Sequence, residues 1–94
     1  MAIETWACKK TRDLFEGKRN TIVPPQVANR ARIKLALLNA AVEVDFLRIP
    51  PGNRLEKLTG DRKDQWSIRI NRQFRLCFSF RSGNAYDVEI TDYH

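Results

Sequence analysis

The last third of the chain limits its fold more than any other feature. From Trp66 onward, apolar and polar residues alternate in three runs separated by short breaks. Trp66, Ile68 and Ile70 alternate with Ser67 and Arg69. Phe74, Leu76, Phe78 and Phe80 alternate with Arg75, Cys77 and Ser79. Tyr86, Val88 and Ile90 alternate with Asp87, Glu89 and Thr91. A period of two is the mark of a strand with one buried face. The breaks, Asn71-Arg72-Gln73 and Arg81-Ser82-Gly83-Asn84, are short enough to be antiparallel hairpin turns. Residues 54–58 predict one more strand ahead of these three.

The first half carries helical signals instead. Residues 9–16 predict a short helix stopped by Gly17, which accepts a left-handed backbone without a Cβ clash. Pro24-Pro25 opens a second helix over residues 25–41, because proline costs nothing in a first turn. Val27, Ala31, Leu35 and Leu38 form its apolar stripe, with Ile33 and Leu37 widening it. Arg30, Arg32 and Lys34 fall outside the main stripe and are expected on a solvated face. Residues 2–7 suit a short first strand to which Ile3 and Trp6 contribute. Residues 41–49 suit either a helical turn or coil, and Pro50-Pro51-Gly52-Asn53 is a clear break. No repeat, linker or low-complexity tract divides the 94 residues, so a single domain over 1–94 is expected. The expected class is α+β: N-terminal helices packed on one face of a small, mainly antiparallel sheet.

If the apolar positions face the helices, the opposite sheet face displays Arg69, Arg75, Cys77, Ser79, Asp87 and Glu89. Such a face is too polar for a core. It is either plain solvated surface or a binding surface. Charge bears on the choice. The formal net charge is +6, and it is concentrated: residues 48–81 alone carry nine basic and three acidic side chains, while residues 82–94 carry three acids and no Lys or Arg. A basic segment on a small domain favours a polyanionic partner, nucleic acid or acidic protein.

Three clusters can carry chemistry. Asp92-Tyr93-His94 puts a carboxylate, a phenol and an imidazole next to one another after the last strand, groups able to orient, donate or accept protons. Arg69 and Arg75 on one sheet face are either cross-strand ion partners of Asp87 and Glu89 or a pair that grips a phosphate. Arg54, Lys57, Arg62 and Lys63 surround a turn at Gly60-Asp61 and suit contact with a nucleic-acid backbone, or form a solvated turn. RNA cleavage fits this inventory, because the 2′-hydroxyl is an internal nucleophile and the protein has only to move protons and offset phosphate charge. Cys8 and Cys77 form no Cys-x-x-Cys pair, and one histidine completes no usual zinc set, so neither a metal nor a cofactor is expected. The N-terminus lacks the apolar run of a signal peptide and no stretch approaches transmembrane length, which predicts a cytoplasmic protein without a membrane partner.

Several segments resemble the HigB family of the RelE/ParE toxin superfamily in order and spacing. They are Leu14-Phe15-Glu16-Gly17, Pro50-Pro51-Gly52-Asn53-Arg54-Leu55, Leu58-Thr59-Gly60-Asp61-Arg62, Gln65-Trp66-Ser67-Ile68-Arg69-Ile70, Phe74-Arg75-Leu76-Cys77-Phe78, Ala85-Tyr86-Asp87-Val88 and the closing Asp92-Tyr93-His94. The resemblance implies a RelE-like fold and a toxin of a type II toxin–antitoxin system that cleaves mRNA on the translating ribosome without a metal. It implies a cognate helix-turn-helix antitoxin, and contact with operator DNA only through the toxin–antitoxin complex. Asp92, Tyr93 and His94 match the family's terminal catalytic group, and Arg75 matches its strand arginine. In one respect the chain departs: Thr59 stands where some members carry a catalytic lysine. Either Lys57 or Arg54 then supplies the charge from nearby, or this member cuts less efficiently. Two other functions suit the same fold, a non-catalytic ParE-like inhibitor and a nucleic-acid-binding module. The terminal Asp-Tyr-His favours the enzyme over both.

Overall fold

The computed structural model describes residues 2–19, 22–62 and 64–93. Helix α1 spans Lys9–Phe15 and helix α2 spans Pro25–Ala40. Two 3-10 turns follow, at Val44–Arg48 and Pro51–Asn53. The sheet is made of β1 (Glu56–Lys57), β2 (Trp66–Arg69), β3 (Phe74–Arg81) and β4 (Asn84–Asp92), paired antiparallel in sequence order. The architecture is therefore the expected α+β arrangement, two helices against a four-stranded antiparallel sheet. No helix among the described residues is long and apolar enough to cross a membrane.

Each hairpin has a local cause. At the β2–β3 turn the Asn71 side chain accepts hydrogen bonds from the backbone N–H groups of Gln73 (2.9 Å) and Phe74 (2.8 Å), an Asx-type turn that reverses the chain. At the β3–β4 turn Ser82 and Gly83 both have positive φ, 53° and 80°, the type I′ geometry whose twist matches two right-twisted strands.

The core lies between the sheet and α2. Ala31, Leu35 and Leu38 of α2, Ile68 of β2, Leu76 and Phe78 of β3 and Val88 of β4 have no exposed surface, and Leu14 of α1 closes one end. Ile33 does not join them: it is 52% exposed. Two residues is a little over half a helical turn, so position 33 points away from the Ala31–Leu35 seam.

The register explains a second difference from expectation. Trp66, Phe78 and Val88 lie on the helix side, as do Ile68, Leu76 and Ile90. Between Cys77 and Ser79 the β3–β4 register shifts. The extra residue on β4 is Asp87, held at φ 55°, which marks a β-bulge. Beyond it the alternation is reversed. Ala85 is buried in the core, whereas Tyr86 pairs with Ser79 on the polar face and stacks under the Arg81 guanidinium at 3.9 Å. Tyr86 was expected among the core residues; one inserted residue moves it to the other side.

The outer edge of β4 is covered by the N-terminal segment. Ile3 and Trp6 form isolated parallel bridges to Ala85 and Val88, rather than a full strand. Thr5 and Thr11 side chains accept from the backbone N–H groups of Asp87 (2.8 Å) and Ile90 (3.1 Å). An unpaired edge is thereby closed against further strand addition.

Asn53 ties the helical layer to the loop before β1. It is fully buried; its Nδ2 donates to the Leu47 carbonyl at 3.2 Å, and its Oδ1 accepts from Lys34 Nζ on α2. An Asn53→Ala exchange strands both partners, and an unsatisfied buried polar group costs about 1–3 kcal/mol. A melting temperature lower by about 4–8 °C for each kcal/mol is expected by thermal denaturation. An unchanged melting temperature would contradict this role.

Candidate active site

The polar face of the sheet is built in rows. Glu56, Ser67, Cys77 and Glu89 form one; Arg69, Arg75 and Thr91 form the next. Arg69 and Arg75 are directly opposed on neighbouring strands, an arrangement that like charges disfavour. Neither takes the partners that plain ion pairing would have given. Glu89 instead holds Arg62 at 2.6 Å, and Asp87 lies four residues along β4 from Thr91, the residue opposite Arg75. Arg69 Nε donates to the Asn71 carbonyl at 3.2 Å.

Arg75 is the hinge of the site. Its side chain is only 12% exposed and lies flat across the sheet. Nε donates to the buried Ser67 hydroxyl at 2.8 Å, and Nη2 to the Arg54 carbonyl at 2.6 Å. The nearest carboxylate, Glu56, is at 4.0 Å. Arg54 sits in the left-handed region at φ 47°, just after the Pro51–Asn53 turn, and this backbone kink presents its carbonyl to Arg75. Arg75 thus fixes the loop before β1 while its remaining N–H donors stay with the cleft.

That cleft encloses about 370 Å³ and is lined by Arg54, Arg69, Asn71, Arg72, Arg75 and Tyr93. Four arginines and a tyrosine therefore line it, with no Asp or Glu among the described lining residues. Tyr93 is placed there by strand alternation: Thr91 and Tyr93 continue the polar face, and the Tyr93 hydroxyl lies 4.0 Å from Cys77 Sγ. Partial burial, and then the Cys77 sulfur, push the Tyr93 hydroxyl above its ordinary pKa, against the pull of Arg62 and Arg75. Tyr93 is accordingly a neutral hydrogen-bonding phenol at neutral pH.

Asp92 is sent the other way. It pairs with Phe74, and its carboxylate accepts from Gln73 Nε2 at 3.1 Å, while the Gln73 carbonyl accepts from the Tyr93 N–H. Gln73 therefore clamps the start of the terminal segment by both side chain and backbone. Adjacent residues of an extended strand point to opposite faces, so Asp92 borders the cleft without lining it. His94 and Lys63, both singled out from the sequence, lie outside the described residues.

The basic loop divides similarly. Arg54 faces the cleft. Lys57 lies on the opposite side of the sheet, with Nζ 4.9 Å from the centre of the Trp66 ring. Arg62 donates to Gln65 Oε1 at 2.9 Å and to Glu89, and the Glu89 hydrogen bond raises its pKa. Its charge is matched, and the pair straps the Gly60–Arg62 turn to β4. The cleft residues missed by the sequence reading are Asn71 and Arg72. The strand alternation assigns both to a turn and no more, and the tightness of that turn is what brings them to the cleft.

A polar sheet face with clustered arginines beside the Tyr93 phenol, on an α+β fold, defines a small basic protein whose cleft suits an anion. Comparison with known proteins places the chain in a family. A family model described as "RelE-like toxin of type II toxin-antitoxin system HigB" matches residues 6–94. A protein of Vibrio cholerae serotype O1 named Toxin HigB-1 is 44% identical over 73 residues, 78% of this chain and 77% of that one. Endoribonuclease HigB of Proteus vulgaris is 33% identical over 92 residues, 98% of this chain and 99% of its own. The chain belongs to the HigB-like toxins of type II toxin–antitoxin systems.

Proposed function

We propose that this toxin is an endoribonuclease that cleaves mRNA on the ribosome, without a metal, and is silenced by a helix-turn-helix antitoxin. One observation carries the catalytic part: Arg54, Arg69, Arg72 and Arg75 line one cleft with Tyr93, and no Asp or Glu is among its described lining residues. Membership in a type II toxin family and near full-length similarity to a protein named as an endoribonuclease support the same reading.

In this reading a scissile phosphate sits between Arg75 and Arg69. Their charge offsets the negative charge that grows as the 2′-oxygen attacks phosphorus. Tyr93 packs its ring against a base or ribose and donates its hydroxyl hydrogen to the strand. His94 protonates the leaving 5′-oxygen, and Asp92, held by Gln73, fixes the terminal segment. With Thr59 unable to act as a cation and Lys57 on the far side over Trp66, Arg54 is the loop cation that reaches the phosphate. Arg62 acts through its bond to Glu89, by holding the neighbouring turn. The antitoxin carries any contact with operator DNA.

Attack by the 2′-hydroxyl leaves one distinctive product. The upstream fragment ends in a 2′,3′-cyclic phosphate and the downstream fragment begins with a 5′-hydroxyl. Ends mapped after cleavage of translated mRNA are expected to accept phosphate from a kinase directly. Downstream fragments that begin with a 5′-phosphate would overturn the metal-free, internal-nucleophile chemistry.

A further inference from the structure

A second cleft adjoins the first. It encloses about 620 Å³ between α2 and the β2–β3 turn, and its lining includes Arg30, Lys34, Arg69, Asn71, Arg72 and Gln73. Arg69, Asn71 and Arg72 line both clefts, so the two form one groove. Among the described residues, no Asp or Glu lines either part.

Glu56 approaches Arg75 and Asp92 accepts from Gln73 at the border of the groove, but the cations along its length outnumber them. Arg30 and Lys34 are four residues apart on α2, and so are neighbours on one helix face, where like charges repel. Lys34 is drawn inward to Asn53 and is depressed below its ordinary pKa, first by burial and then by Arg30. Among the described residues, no salt bridge joins Arg30, Lys34, Arg69 or Arg72 to a carboxylate. Four cations stationed along one groove outside any of these salt bridges are arranged for a bound anion. Continuity with the Tyr93 cleft favours a polymer whose charges repeat along its length.

We propose that the Arg30–Lys34 cleft is a second phosphate subsite, which holds the backbone of the same RNA strand beyond the nucleotide in the Tyr93 cleft. This inference rests on the RNA-cleaving reading and extends it to the path of the substrate. The strand enters over Arg72, the one side chain at the junction with no structural bond among those described. At the second subsite Arg30 and Lys34 address the phosphates, contacts that position a strand without reading its sequence. Substrate length then adds affinity without adding sequence preference.

The test is the salt dependence of RNA binding by the full chain, read by fluorescence anisotropy with non-cleavable 2′-O-methyl oligonucleotides. A trinucleotide spans the Tyr93 cleft alone, and an octanucleotide spans both. Each phosphate contact contributes about 0.7 to the slope of log affinity against log salt for a single strand. Arg30→Gln is expected to lower the octanucleotide slope by about 0.7, and Arg30→Gln/Lys34→Gln by about 1.4, with the trinucleotide unchanged. Arg30 is exposed and carries no bond the fold needs, so the single variant stands even if loss of Lys34 loosens Asn53. Lys9→Gln/Lys10→Gln removes equal charge from α1, outside both clefts, and is expected to leave the slope nearly unaltered.

Equal losses in the α1 variant, or no loss in the α2 variants, would overturn the subsite. An unchanged RNA slope with weakened antitoxin binding would overturn it too, and assign the cleft to an acidic protein segment. Failure of the wild type to bind either oligonucleotide would overturn the subsite, while the RNA-cleaving reading falls only if ribosome-bound mRNA is not cut. An octanucleotide-specific failure leaves that reading standing.

Discussion

Arg75→Ala is expected to slow single-turnover cleavage by about 100- to 1,000-fold, the usual loss when one pre-organised charge partner of a transition state is removed. The expectation comes from the way Arg75 is held. Bonds to the Ser67 hydroxyl and the Arg54 carbonyl immobilise the guanidinium before substrate arrives, so little reorganisation is needed when phosphate charge builds. Arg75→Lys is expected to recover little of the rate. An ammonium is a point charge that cannot hold two fixed partners and address the phosphate together. Both variants also leave the buried Ser67 hydroxyl unpaired, at a cost of about 1–3 kcal/mol. Rates are therefore to be compared at a temperature where circular dichroism shows each variant folded. A folded Arg75→Ala toxin cutting at the wild-type rate would remove Arg75 from the chemistry.

His94→Ala carries the other large effect. A positioned general acid contributes about 100- to 10,000-fold, and a loss in that range is expected in the chemical step, with ribosome binding intact. The anchoring of the segment just before it supports this role. The Tyr93 backbone and the Asp92 carboxylate are both tied to Gln73, which holds the chain as far as Tyr93 beside the arginine cleft. A variant with residues appended after His94 is expected to cut slowly as well. If both altered proteins cut at the wild-type rate, the terminus is not catalytic, and the arginine cleft is left to act alone.

The strands, both helices and the polar sheet face were legible in the sequence because each rests on a period that local packing enforces. What escaped depended on single residues that alter a period or on contacts between distant elements. One bulge residue, Asp87, exchanges Tyr86 for Ala85 in the core, and no alternation pattern reveals it. Ile33 looked like a widening of the apolar stripe, yet its angle around the helix leaves it outside. The basic loop read as one group of cations, whereas the sheet separates Lys57 from Arg54, and Glu89, distant in sequence, takes up Arg62. Asp92 and Tyr93 are adjacent in sequence and part ways for the same reason that strands have two faces. Arg30 and Lys34 looked like ordinary solvated charges. Only the approach of the β2–β3 turn to α2 makes them the wall of a groove.

The central claim is that the groove acts on mRNA held by the ribosome. A site of four arginines and one phenol supplies charge but little that bends a strand into in-line geometry, and the ribosome can supply that geometry. The decisive measurement is the single-turnover rate on one mRNA, presented either in a programmed ribosome or free in solution at equal concentration. Rapid cleavage of the ribosome-bound message with little cleavage of the free one is predicted. Equal rates on the two would contradict the account.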